Sequence, residues 1–466
     1  MRRKKRMARL LSLLLVFSMA LAWNVKAEAA PANGASRIIN VVYDDSGSMV
    51  KEDGGSFIER WSQAKYAMEV FSAMMSKNDV MNIYPMSIEG ELGLTIKGSD
   101  VNRVKAVHDM NGRYRNTPFV TVTSAAADLL KEDPSYERWL VIITDGAFDD
   151  GATPASTVQA ALDSYNEEGI KTVYLAIGNN AQMMAGNEGK GAYAVKATDG
   201  EVLTKVTEIA NQIFTHQILG SRYIENTGTA TLLNIDIPTD QIIVFAQGEG
   251  VTVGDLSLNG SAIKATEVQN VKHSDVVPEN ESYANAVIDT SLKGVVATFE
   301  AGDQPFEAGQ FSISVSNATT VEYYYRPGVT VNCALLYDGV EVQSGDELYA
   351  GDYEVALSFI NPLTGEIIES DLLSDAEFTL RILNNGETQV ITSKTGTVSL
   401  QEGDVSIEAT AGLPGHVYLT STRGYTVLPE PIKLSLEFTP SDPSYTPDRL
   451  GANAQTVLLR VSNAET

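Results

Sequence analysis

Oxygen donors are concentrated in one short stretch, Asp44-Asp45-Ser46-Gly47-Ser48-Met49, directly after the apolar run Ile38-Ile39-Asn40-Val41-Val42-Tyr43. Asp44, Ser46 and Ser48 alternate as Asp-x-Ser-x-Ser, which sets one carboxylate and two hydroxyls on one side of a turn. Hard oxygen donors with only one or two carboxylates suit magnesium, which keeps several waters and demands near-octahedral geometry at roughly 2.0 to 2.1 Å. Manganese and calcium are the alternatives. Turns also collect serine and aspartate for a structural reason, because their side chains hydrogen-bond nearby backbone. The triplet alone does not separate a cation site from a well-bonded turn.

Two further segments add context. Val141-Ile142-Ile143-Thr144-Asp145-Gly146 again puts an aspartate at the exit of an apolar run and a glycine after it, and Asn116-Thr117-Pro118-Phe119 puts a hydroxyl in a loop before a helical pattern. In open α/β sheets ligands bind at the C-terminal ends of the strands. Asp44, Ser46, Ser48, Thr117 and Asp145 are therefore expected at one end of one sheet. Thr121 and Thr123 compete with Thr117 for the same role. Asp45, Asp149 and Asp150 crowd the expected rim, where solvation at the surface is preferred to a second metal site.

The elements that must position these residues alternate. Trp61, Ala64, Met68, Phe71 and Met75 recur at spacings of three and four and predict one apolar helix face. Val80 to Met86 predicts a strand. Val122, Ala125, Ala126 and Leu129 predict a second helix, and Trp139 to Thr144 is apolar enough for a central buried strand. Val158, Ala161, Leu162 and Tyr165 predict another helix, Thr172 to Ile177 a strand, and Val202, Val206, Ile209 and Ile213 a last helix. From Arg37 to His216 this is the pattern of a doubly wound, mostly parallel sheet flanked by helices.

Val42-Tyr43-Asp44-Asp45-Ser46-Gly47-Ser48-Met49, Thr117-Pro118 and Ile143-Thr144-Asp145-Gly146 together resemble the metal-ion-dependent adhesion site of von Willebrand factor A domains, including those inserted in integrins. The resemblance covers about Arg37 to His216. It implies that Ser46, Ser48 and Thr117 coordinate a divalent ion through hydroxyls, with Asp44 and Asp145 acting directly or through water. It also implies a six-stranded sheet with one antiparallel edge, and a coordination position filled by a partner's Glu or Asp. The chain departs from the family in the loop Gly112-Arg113-Tyr114-Arg115-Asn116, which lacks the usual glycine-rich approach to the threonine.

Beyond His216 the pattern changes to short alternating strands between Asn, Gly, Asp and Pro, which predicts β-sandwiches of immunoglobulin-like texture. Thr229 to Ile237, Gln241 to Ala246, Gly294 to Phe299 and Gln310 to Val315 are the clearest strands. Breaks at Arg326-Pro327-Gly328 and Leu428-Pro429-Glu430-Pro431 suggest domains at 37–216, 217–326 and 327–428, with a β-rich segment at 429–466.

Residues 1–29 have the pattern of an export signal: six basic residues from Arg2 to Arg9, the uncharged stretch Leu10 to Val25, and Ala27-Glu28-Ala29 before Ala30. Its removal takes seven basic residues and one acidic one, moving the net charge from −26 to −32. Such a chain is a poor partner for nucleic acid or an anionic membrane, and no second stretch approaches transmembrane length. Cys333, the single cysteine, lies in an apolar run and is expected to be a buried free thiol.

His108, His216, His273 and His416 fall in no catalytic or zinc-binding motif, so surface or capping roles are expected for His108 and His216. Gly186 to Gly191 lacks the spacer and hydroxyl of a phosphate loop, and Asp149 and Asp150 are too close together to flank a glycoside. The expectation is a secreted, metal-dependent protein-binding or adhesion module that captures an acidic group of a protein partner, and not an enzyme. Its rivals are an accessory or sensor subunit of a surface enzyme or assembly, and a structural surface protein whose metal only stabilises it. The sequence sets no oligomeric state.

Overall fold

Strand β1 (Arg37–Tyr43) is buried along its whole length, because a central parallel strand is covered on both faces; its two polar residues are bonded inside, Arg37 to Glu137 and Asp79 and Asn40 to the carbonyl of Ala125. The computed structural model describes residues 37–51, 56–58, 60–110, 112, 116–133, 136–146, 148, 153–178, 181–188, 191–272, 292–337, 339–343 and 346–430. The expected export signal, the segment beyond 430, Arg113 to Arg115, Asp149, Asp150, Gly189, Lys190 and His273 lie outside the described residues.

After β1 come α1 (Arg60–Ala73), β2 (Val80–Pro85), β3 (Leu94–Lys97), α2 (Arg103–His108), α3 (Val120–Lys131), β4 (Glu137–Thr144), α4 (Ala155–Glu167), β5 (Lys171–Ile177), β6 (Ala192–Ala197) and α5 (Val202–Phe214). The sheet order is β3-β2-β1-β4-β5-β6. All neighbours are parallel except the edge pair β2 and β3. This is a von Willebrand factor A-like α/β arrangement. Side chains alternate across β1: Ile39, Val41 and Tyr43 join Trp61, Met68 and Phe71 of α1 and Ile209 and Ile213 of α5. Ile38 and Val42 join Val122 and Leu129 of α3 and Val158 and Leu162 of α4.

The strands β7 (Gln217–Ile218), β8 (Ile224–Asn226), β9 (Thr231–Ile235), β10 (Thr239–Gln247), β11 (Thr252–Val253), β12 (Leu256–Leu258), β13 (Ser261–Ile263), β14 (Glu267–Lys272), β15 (Lys293–Glu300), β16 (Gly309–Ile313), β17 (Val315–Ser316) and β18 (Thr320–Pro327) follow. They form two five-stranded sheets, β14-β15-β10-β18-β7 and β13-β12-β16-β9-β8, with β11 and β17 as a separate pair. Strand β10 is buried without alternation from Ile242 to Ala246, because both of its faces are covered.

One of those faces meets α1. Ile243, Phe245, Val271, Val296 and Tyr324 belong to the same core cluster as the α1 side chains, and every residue of α1 except Arg60 and Gln63 is buried. The helix is therefore sandwiched between two sheets. Polar groups on its second face find partners at the seam: Glu69 Oε2 accepts from the Lys272 backbone N–H at 2.9 Å, and Glu69 Oε1 lies 2.9 Å from His108 Nδ1. Burial, the largest effect on Glu69, raises its carboxyl to about 7. Arg103, wholly buried, donates to the carbonyls of Ser72 and Ala73 at the end of α1 and to both carboxylate oxygens of Glu267.

The surface roles expected for two histidines do not hold. His108 is 9% exposed and His216 is 1% exposed. His216 Nε2 donates to Gln241 Oε1, and burial pushes its imidazole down to about 3.

The chain divides into two compact units, the first comprising Met1–Val331, Ser358–Glu377 and Thr410–Ser421, the second Asn332–Leu357, Phe378–Ala409 and Thr422–Thr466. In the second, residues 351–356 pair antiparallel with 395–400, 380–384 pair with 387–391, and Leu348 and Tyr349 run parallel to Val427 and Leu428. Cys333 is buried there, and burial raises its thiol to about 11. Among the described residues no helix is long and apolar enough to cross a membrane.

Candidate metal centre

β1 and β4 are adjacent and in register, with Tyr43 opposite Ile143, so Asp44 and Asp145 leave the sheet side by side. The Asp44 N–H donates to Ile143 O at 3.0 Å, continuing the ladder one residue into the loop. Asp44 is fully buried, and both carboxylate oxygens accept hydrogen bonds. Oδ1 takes the Ser46 N–H at 2.9 Å, the aspartate-turn geometry that the sequence allows, and Oδ2 takes the Thr144 hydroxyl at 2.7 Å. These bonds fix the turn that aims both serines.

Three of the oxygens form a chain. Ser46 Oγ and Ser48 Oγ lie 3.0 Å apart, and Ser48 Oγ donates to Asp145 Oδ1 at 2.8 Å. Ser46 and Asp145 are buried, whereas Ser48 is exposed and marks the open side. The other oxygen of Asp145, Oδ2, accepts from Arg60 Nη1 at 3.0 Å. Burial first and the neighbouring Asp44 carboxylate second push the Asp145 carboxyl up to about 6, against the hydrogen bonds from Ser48 and Arg60.

Thr117 is buried in the loop before α3. Phe119, two residues on, packs edge-to-face against Phe148 in the loop after Asp145, with ring centroids 5.1 Å apart, which ties the two loops together. Of its competitors, Thr121 is wholly buried within α3, and Thr123 donates its hydroxyl back to Val120 O. Asp45 departs from the solvated rim position expected for it. It is 1% exposed and accepts from the Ser87 N–H and hydroxyl, so it clamps the turn after β2.

The donor set fits a small hard cation. Hydrogen bonds set the oxygens of Ser46, Ser48 and Asp145 3.0 and 2.8 Å apart, a separation that an octahedron with bonds of 2.0 to 2.1 Å can also use, since its neighbouring ligands lie about 2.8 to 3.0 Å apart. Among the described residues no group of three or more His, Cys, Asp or Glu is placed to hold a metal. The fit therefore depends on hydroxyls, which disfavours soft, thiolate-type metals. Residues not singled out as donors in the sequence complete the site: Thr144, visible in hindsight as the residue beside Asp145, and Arg60 and Ser87, which carry no local signal.

No family model matches the chain, and no curated protein matches it. Among solved structures it is similar to a von Willebrand factor type A protein from Catenulispora acidiphila, with 11% identity over 79% of this chain and 66% of that one and a TM-score of 0.31. It is also similar to the ArnB paralog VWA2 from Sulfolobus acidocaldarius, with 11% identity over 78% and 67% of the two chains and a TM-score of 0.28. A third is proximal thread matrix protein 1 from the mussel byssus with a zinc-occupied MIDAS motif, with 15% identity over 40% and 49% and a TM-score of 0.27. The chain spans less than two thirds of the first of these proteins and about half of the third. Likeness at this level carries no argument about the site; the fold class rests on the sheet order and the helices on its two faces.

Proposed function

We infer that the chain is an exported protein-interaction module that binds a divalent ion at Asp44, Ser46, Ser48, Thr117 and Asp145 and captures an acidic group of a protein partner there. The observation that carries this reading is the convergence of the Ser46, Ser48 and Asp145 oxygens at the ends of β1 and β4, linked at 3.0 and 2.8 Å and open to solvent at Ser48. Asp44 holds the turn by accepting from Ser46 and Thr144, and Ser46 and Ser48 present their hydroxyls to the same point. A bound divalent ion would supply an exchangeable position for a carboxylate. The exposure of Ser48 supports capture over a purely stabilising ion, which would need no open side. Export is supported by the basic and apolar start of the chain, and a role without catalysis by the absence of any catalytic motif around the four histidines.

The test is calorimetric titration of the full chain with Mg2+, Mn2+ and Ca2+, for wild type, Asp44→Ala and Ser48→Ala. Wild type should bind, and ion at about a hundred times its dissociation constant should add roughly 2.7 kcal/mol to stability. Ser48→Ala should remain folded and lose about tenfold or more in ion affinity, as expected for one lost ligand. A wild-type protein that takes up none of the three ions would overturn the reading.

A further inference from the structure

The two carboxylates of the centre are buried where β1 and β4 end: Asp44 at 0% and Asp145 at 9% exposure. A divalent ion would balance their two charges. A captured carboxylate would bring a further negative charge that both aspartates repel, in surroundings that screen it poorly. Arg60, the first residue of α1, stands against this cluster. Its Nη1 is 3.0 Å from Asp145 Oδ2, and its side chain is only 14% exposed. Arginine stays charged at all working pH values. The end of β5 leaves room for it: Gly178 has φ +93°, and a Cβ there would fall 2.9 Å from Arg60 Nη2.

We propose that Arg60 is a specificity-determining residue of this centre, whose positive charge beside Asp145 opposes the bound ion and favours an incoming carboxylate, lowering affinity for the ion and raising affinity for a carboxylate. The inference rests on the metal-centre reading above. It differs in sign from a purely positioning role. If Arg60 only held Asp145 in place, its removal would weaken ion binding; if its charge is what matters, removal strengthens ion binding and weakens carboxylate capture.

The experiment uses the full chain with Mn2+, read by water-proton relaxation, and N-acetylglutamate as the carboxylate probe, with N-acetylglutamine as the neutral control. Arg60→Gln should bind Mn2+ about fivefold tighter and N-acetylglutamate about fivefold more weakly, and Arg60→Lys should stay within about twofold of wild type on both. Thermal midpoints without ion check the fold. Should the glutamine variant be unfolded, Arg60→Met, which keeps the apolar stem, carries the same comparison. Equal or weaker Mn2+ binding by the neutral variant, or unchanged N-acetylglutamate affinity, overturns the proposal while leaving the metal centre standing. Absence of Mn2+ binding in wild type overturns both.

Discussion

Replacing Arg103 by alanine should destabilise the α/β domain and the first sandwich together. The guanidinium donates from Nε to Ser72 O at 2.7 Å, from Nη2 to Ala73 O at 3.1 Å, and from Nη1 to Asp100 O at 3.1 Å and to Glu267 Oε1 at 2.6 Å, and it also bonds Glu267 Oε2. Alanine leaves the last carbonyls of α1 without their cationic cap and a half-buried carboxylate without its partner. Breaking a buried pair costs about 3–5 kcal/mol, and each dry, orphaned carbonyl adds about 1–3 kcal/mol unless water reaches it. The Glu267 side chain keeps 28% exposure, which holds the expected loss near the lower end, about 3–4 kcal/mol. Lysine at 103 keeps the charge but not the fork and should recover less than half. Beyond the expected leader, Trp61 and Trp139 are the only tryptophans, so fluorescence in a denaturant titration follows the α/β domain alone while circular dichroism follows the whole chain. Glu267→Ala, in the sandwich, should therefore shift the fluorescence midpoint. A loss under about 1 kcal/mol for Arg103→Ala, or a fluorescence transition indifferent to Glu267→Ala, would refute a shared core.

His216 is held neutral by burial, with its folded pKa down at about 3. A depressed pKa adds stability above the unfolded value of about 6.5 that is lost as pH falls toward 3, at up to roughly 1.4 kcal/mol per pH unit. Denaturant midpoints between pH 7 and pH 4 should show this slope, and His216→Gln should flatten it; equal slopes would count against the assignment. The Cys333 thiol, buried and raised to about 11, should react slowly with a thiol reagent at pH 8 in the native protein and completely after denaturation. Fast native labelling would contradict its burial.

What could be read from the sequence follows from how strongly each residue's surroundings are written into its neighbours. β1, β4 and β5 are covered on both faces, so their residues form apolar runs, interrupted between Ile38 and Tyr43 only by Asn40, that announce themselves. β3 is an edge strand with Ile96 as its single buried residue, and β6 is short and alanine-rich; neither leaves such a run. α1 was legible on the side facing its own sheet. Its second buried face carries Ser62, Lys65, Glu69 and Ser72, a pattern that reads as solvent-facing because the sheet that covers it lies about two hundred residues downstream. The same division runs through the site. Asp44, Ser46 and Ser48 are legible because one turn holds all three, and Asp145 because a strand exit repeats the pattern. Arg60 and Ser87 act across the fold, on Asp145 and Asp45, with nothing local to mark them.

The placement of α1 between two sheets also determines how a pull on the site would be carried. A tug at Asp44 to Ser48 loads β1 along its axis, and β1 is zipped on both sides, from Ile38 to Tyr43 against β2 and from Arg37 to Tyr43 against β4. Drawing it out would shear both ladders at once instead of peeling one bond at a time. A second route passes through Arg60 into α1, whose far end is bolted by Arg103 to β14. Tension at the open end of the sheet would thus be spread into the first sandwich, an anchor plate behind the loop of Asp44 to Ser48.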